Sequence, residues 1–152
     1  MINLGPHSGK NCPNVHYHPG VLDRALEVAA LLIVLAIWGC IYWLYTQRGV
    51  SHSSEMWISG GLSVLSFVIL ALSSYAPVRM INFPVRVNEQ NIGIQYLLAV
   101  RFTRVMNIIL GLLFMSSLLI NYYRIASIFF GIAIALMFIA FVIYFVFALK
   151  YK

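Results

Sequence analysis

Four ionisable side chains stand at spacings that let them act together. Asp23 and Glu27 are four residues apart in LDRALEVAALLIVLAIW, which puts both carboxylates on one face of a helix. Arg101 and Arg104 are three apart in AVRFTRVM, on neighbouring faces of another helix. Two carboxylates and two guanidinium groups can form an ion-pair cluster, and with no nucleophile beside it such a cluster orients and packs helices rather than making bonds. The simpler use of two arginines at the end of an apolar helix is lipid anchoring, in which the stems stay in hydrocarbon and the heads reach phosphates. The sequence leaves both readings open.

Three further groups carry polar or packing chemistry. HSGKNCPNVHYHPG offers His7, Cys12, His16 and His18, ligand types that suit zinc and copper. Their spacing fits no closed zinc motif, and the Gly, Pro and Asn around them read as a polar tail, so no metal or other cofactor is assigned. With Cys12 in that tail and Cys40 inside an apolar run, no structural disulfide is expected. Arg48, His52 and Glu55 are the outer-loop candidates for meeting a ligand. Ser127, Gly131 and Ala135 recur every four residues as a helix-packing stripe, and SGGLSVLS from Ser59 to Ser66 offers a similar small-residue surface. Packing inside the bundle is the first use expected of both.

These residues must be held by apolar elements. The chain has 152 residues, 62% hydrophobic and 9% charged, with a mean hydropathy of +0.89. A water-soluble domain needs far more charge to cover its surface, so the composition implies a membrane protein. Four apolar spans follow, over about 28–45, 56–75, 100–120 and 125–149. The third is charge-free only from Val105 to Ile120, about 24 Å of helix, so residues upstream of Val105 must lie near the membrane. Trp38, Trp43, Trp57, Tyr122 and Tyr123 fall mostly near span ends, as interfacial anchors do. The expected organisation is a polar tail over 1–22, a single four-helix transmembrane domain over 23–149 and a basic tail over 150–152.

The first span is not read as a signal peptide, because a polar segment precedes it and it ends in IYWLYTQR, where a peptidase needs small residues. Neither end carries a lipidation signal. Orientation comes from the cations. Lys10, Arg24, Arg79, Arg86, Arg101, Arg104, Lys150 and Lys152 fall on one side, and only Arg48 and Arg124 on the other. The positive-inside rule then puts both termini in the cytoplasm and the protein in the inner membrane. The net charge of +6 is thereby used at helix ends, beside anionic head groups, and no nucleic-acid partner is expected.

The second connection is the most informative loop. Pro84 in NFPVRV biases Phe83 away from helix, so the chain should run irregularly or along the membrane surface there. Asn88 is a good N-cap and Glu89 suits the positive end of a helix dipole. A helix from about Glu89 to Ile120 would be about 48 Å long, more than a bilayer needs, so the third helix should extend on the cytoplasmic side.

LDRALEVAALLIVLAIW and INFPVRVNEQNIGIQYLLAVRFTRVMNIILGLLF are similar to small bacterial polytopic membrane proteins of a domain-of-unknown-function family. That family also forms the N-terminal part of immunity proteins against the sporulation-delaying toxin. The resemblance covers roughly residues 20 to 120 and is best at Phe83–Arg86 and the NEQN helix start. It departs at TQRGVSHSSEMWISGG, where members carry a longer loop with a proline and a histidine, of which His52 could be a remnant. The resemblance implies a self-protection protein without catalytic residues.

The spans hold no Asp, Glu, Lys, Arg or His between their boundary residues, whereas pumps and proton-coupled carriers usually place such groups at mid-membrane. Asn107 is the strongly polar residue well inside. No phosphate-cradling loop, matched nucleophile and base, or inverted repeat is recognisable. The expectation is therefore a non-enzyme. Either it is an immunity protein against an envelope-acting toxin, or an accessory subunit docking on a larger membrane complex through a small-residue face. Its partners would be membrane lipids and a toxin, a larger complex or copies of itself.

Overall fold

The computed structural model describes residues 7–8, 18–48 and 54–152, with the backbone alone given for 7–8. Four long helices follow one another: α1 (Val21–Arg48), α2 (Ser54–Ser73), α3 (Ile92–Leu119) and α4 (Ala126–Lys150). All four are long and apolar enough to cross a membrane. The chain is a multi-pass membrane protein with an all-α bundle fold.

α1 begins seven residues before the apolar run expected from the sequence. Asp23 causes this, because its Oδ2 accepts from the backbone N–H of Gly20 at 2.9 Å and so closes the helix start. The inner face of α1 then repeats on a heptad: Asp23, Glu27, Ala30, Val34, Ile37, Ile41 and Leu44. This 4-3 spacing keeps one seam facing its neighbours over the whole helix. The two carboxylates are the first two positions of that seam.

α3 is the central helix. It packs against α1, α2 and α4, whereas α4 packs chiefly against α3. Being enclosed, α3 can carry Gln95, Arg104, Asn107 and Ser116 as buried polar residues, which a lipid-facing helix could not. Close approach of α1 to α3 depends on Gly111, where a Cβ would stand 2.8 Å from Ile33 Cγ2. Gly60 does the same for α2 on α1, against Ile41 and Trp38, so the Ser59–Ser66 surface does pack inside the bundle.

The stripe of Ser127, Gly131 and Ala135 does not. All three residues are exposed, and a Cβ on Gly131 would meet nothing within 4 Å. α4 instead turns Ala126, Phe130, Ala133, Met137, Ala140 and Tyr144 inward, alternating small and large on a heptad. Tyr144 stacks on Phe102 of α3 with ring centroids 4.6 Å apart, and Phe141 meets the same ring edge-on at 5.0 Å. These aromatic contacts fix the rotation of α4 and leave the small-residue stripe outside.

Both ends of the described chain meet at one end of the bundle, which also holds most of the cations and is termed the basic end. There the connection after α2 folds over the start of α3: a 3-10 turn at Val78–Met80 is followed by a two-residue strand, β2 (Asn82–Phe83). β2 pairs antiparallel with β1 (His7–Ser8), His7 opposite Phe83. Val78, Phe83, Ile92, Tyr96, Ala99 and Val100 form a small core beneath it. The start of α3 thus extends beyond the start of α1 but is covered by the connection. At its N-terminus Asn88 Oδ1 accepts from the N–H of Asn91 at 2.9 Å, and Asn91 Oδ1 accepts from the N–H of Asn88 at 2.8 Å. This reciprocal cap lies just ahead of Ile92, so regular helix starts a turn later than Glu89.

Candidate functional site

The heptad of α1 and the polar residues of α3 meet at the level where α1 begins. Arg104 Nε donates to Glu27 Oε1 at 2.8 Å, and Arg104 Nη1 lies 3.2 Å from Asp23 Oδ1. Arg101 Nε lies 3.4 Å from the same Asp23 oxygen. The side chains of Asp23 and Arg104 are 1% and 2% exposed, that of Glu27 27% and that of Arg101 43%. All four residues singled out by spacing are therefore brought together. Two positive and two negative charges sum to zero, which suits a site of low dielectric.

Three more residues complete the cluster, and of these the sequence had singled out Asn107 alone, as a polar residue well inside a span. Tyr75, just past α2, donates its hydroxyl to Glu27 Oε2 at 2.8 Å, and Arg104 lies over its ring, 5.5 Å from the centroid. The bond to Glu27 pushes the Tyr75 phenol above its ordinary range, with partial burial adding to it and Arg104 opposing. Tyr96 donates to the carbonyl of Ala76 at 3.0 Å and so ties the connection to α3. Asn107 Nδ2 donates to the carbonyl of Phe67 at 3.3 Å, joining α3 to α2. A cavity of about 210 Å³ lies beside Glu27, Tyr75, Arg104 and Asn107. A turn and more above, Gln95 is fully buried and donates to the carbonyls of Ala148 and Tyr151 at 2.9 and 3.1 Å, closing the C-terminal end of α4. The topology was the missing signal. Tyr75 and Glu27 lie 48 residues apart in the chain, and meet only because α2 returns to the start of α1.

This cluster joins three helices and contains no activated nucleophile. Its chemistry is charge neutralisation: each carboxylate of α1 has a guanidinium partner from α3, and the remaining Glu27 oxygen accepts from the phenol. Asp23, Glu27 and Arg104 are taken up by one another in this pairing, whereas Arg101 engages the cluster through Nε alone. The cluster acts as a clasp.

The opposite end carries an open concavity. Because α2 and α4 flank α3 without packing closely on each other, a groove of about 670 Å³ is left over the outer part of α3. Its rim is polar, with Glu55, Ser59, Ser117 and Asn121, and its floor apolar, with Leu62 and Phe130. Glu55 Oε2 accepts from Asn121 Nδ2 at 2.8 Å across the rim. Of the outer-loop candidates, Glu55 is exposed and on this groove, the side chain of Arg48 lies outside the described residues, and so does His52.

His18 is exposed just before α1, only the backbone of His7 is described, and Cys12 and His16 lie outside the described residues. Among the described residues Cys40 is a free, half-buried thiol on α1. Comparison of the chain with models of known families, with curated proteins and with solved structures finds no match.

Proposed function

We propose that this protein is a non-enzymatic resident of a bacterial inner membrane that protects its cell by binding or occluding an envelope-acting toxin. The observation that carries the reading is the groove at the Glu55–Asn121 end, whose polar rim and apolar floor suit an amphipathic peptide or protein segment entering from the lipid interface. With both termini cytoplasmic, as the distribution of Lys and Arg implies, this groove opens on the outer side. The likeness at Phe83–Arg86 and NEQN points the same way, and the comparisons add nothing to it.

In this reading the clasp at the basic end holds α1 and α2 on α3, so the outer groove keeps its shape. A deletion strain exposed to conditioned medium from its parent should lose growth that the intact chain restores. Ser117→Trp, which fills the groove, should insert at the same level yet fail to restore it. Equal growth of deletion strain and parent counts against protection.

A second reading has its own observation. The exposed Ser127, Gly131 and Ala135 line an outward face of a helix that packs chiefly on one neighbour, as a subunit docking on a larger membrane complex would need.

A further inference from the structure

We infer that the groove between α3 and α4 on the basic side is a site for one anionic phospholipid, with its phosphate on Arg101. The groove has a volume of about 420 Å³, and apart from Arg101 its walls are apolar or aromatic, among them Val105, Ile109, Ile139 and Tyr144. Its polarity is graded along the helix axis. Arg101 stands near the basic end, and the apolar wall runs inward from it to Ile109, about 12 Å along α3 and close to the depth of one leaflet of a core about 30 Å thick. A phospholipid has the same order, an anion at the interface and a chain below.

The charge of the rim selects an anionic head group. Arg101 has five N–H donors, and among the described residues its polar partner is Asp23 alone, reached through Nε at 3.4 Å. Both terminal NH₂ groups remain available for a phosphate, which takes a guanidinium fork in bidentate fashion. Asp23 does not depend on Arg101 for neutralisation, because Arg104 Nη1 lies nearer, at 3.2 Å. At the same end Arg24, Arg79, Arg86, Lys150 and Lys152 outnumber Glu89, so the surroundings attract an anion and disfavour a cationic partner. A zwitterionic lipid lacks this net attraction.

The test is native mass spectrometry of the full chain in mild detergent, titrated with phosphatidylglycerol or phosphatidylcholine of the same acyl chains. One phosphatidylglycerol should be retained in preference to phosphatidylcholine. Arg101→Gln should weaken that retention about fivefold, the scale of one cation near a charged membrane surface. Ile139→Trp fills the groove from an exposed position, so the core is spared, and it should abolish the bound lipid. Arg79→Gln removes the same charge outside the groove and should leave retention within twofold of the parent. Equal retention of both lipids, or an Arg79→Gln loss as large as that of Arg101→Gln, overturns the site in favour of general surface attraction. Glycerol phosphate competing as well as the lipid also overturns it, since the chain would then contribute nothing.

Discussion

Arg104 donates to Glu27 across 77 residues of chain, and the same guanidinium stands beside Asp23, so one side chain of α3 holds both carboxylates of α1. Removing one partner of a buried ion pair leaves an uncompensated charge and costs about 3–5 kcal/mol. Arg104→Leu should therefore lower the thermal midpoint in mild detergent by far more than Arg101→Gln. The latter is 43% exposed and its pair should be worth at most about 1 kcal/mol. Adding Asp23→Asn and Glu27→Gln to Arg104→Leu should recover part of the loss, because the orphaned charges are gone. Failure of that rescue would mean that Arg104 acts through packing alone.

Tyr75 gives the clasp a pH signature. Its phenol is raised above its ordinary value of 10.0, chiefly by the bond to Glu27. A raised value means that the folded state favours the neutral phenol. The contribution is whole below pH 10 and is lost as pH rises through the folded value. The tyrosinate absorbance of the parent minus that of Tyr75→Phe should titrate later than a free tyrosine. Glu27→Gln should bring it back towards the ordinary range.

Two glycines should respond oppositely to alanine. At Gly111 a Cβ would meet Ile33 Cγ2 at 2.8 Å, and a β-branched methyl cannot swing aside without moving α1. Gly111→Ala should cost about 1–3 kcal/mol by overpacking, read as a lower melting midpoint, and Ile33→Ala in the same chain should relieve it. Gly131→Ala meets nothing and should be neutral or slightly stabilising through helix propensity. If Gly131→Leu disturbs the purified chain alone, α4 is not oriented as described.

How much of this was legible differs by helix. The spacing of Asp23 and Glu27, with the count of cations, offered the clasp as one of two readings beside lipid anchoring, because charges in an apolar chain are few and the topology brings them to one depth. α4 was not legible in the same way. Its residues are apolar on every side, and lipid is as apolar as a protein interior, so hydropathy cannot tell Ala126, Ala133 and Ala140 from Ser127, Gly131 and Ala135. The inward face is chosen by shape, through Tyr144 and Phe102. The central place of α3 had a trace in the sequence: it is the least apolar of the four spans, and its polar residues need protein neighbours.

The orientation is tested by labelling single cysteines in a Cys12→Ser, Cys40→Ser background with an impermeant maleimide. Glu55→Cys should react in intact cells, and Lys152→Cys only after lysis. The reverse pattern would put the outer groove in the cytoplasm, where no toxin from outside could reach it.

The most direct measurement of the proposed role is affinity purification of the tagged chain from its native membrane in mild detergent, followed by native mass determination. A protein that guards the membrane on its own should be recovered as a monomer or homo-oligomer, and the same preparation should bind toxin only when its producer's medium is added. A larger membrane protein recovered in constant stoichiometry without added medium would contradict that account and make the chain a fixed subunit, with Ser127, Gly131 and Ala135 as its docking face.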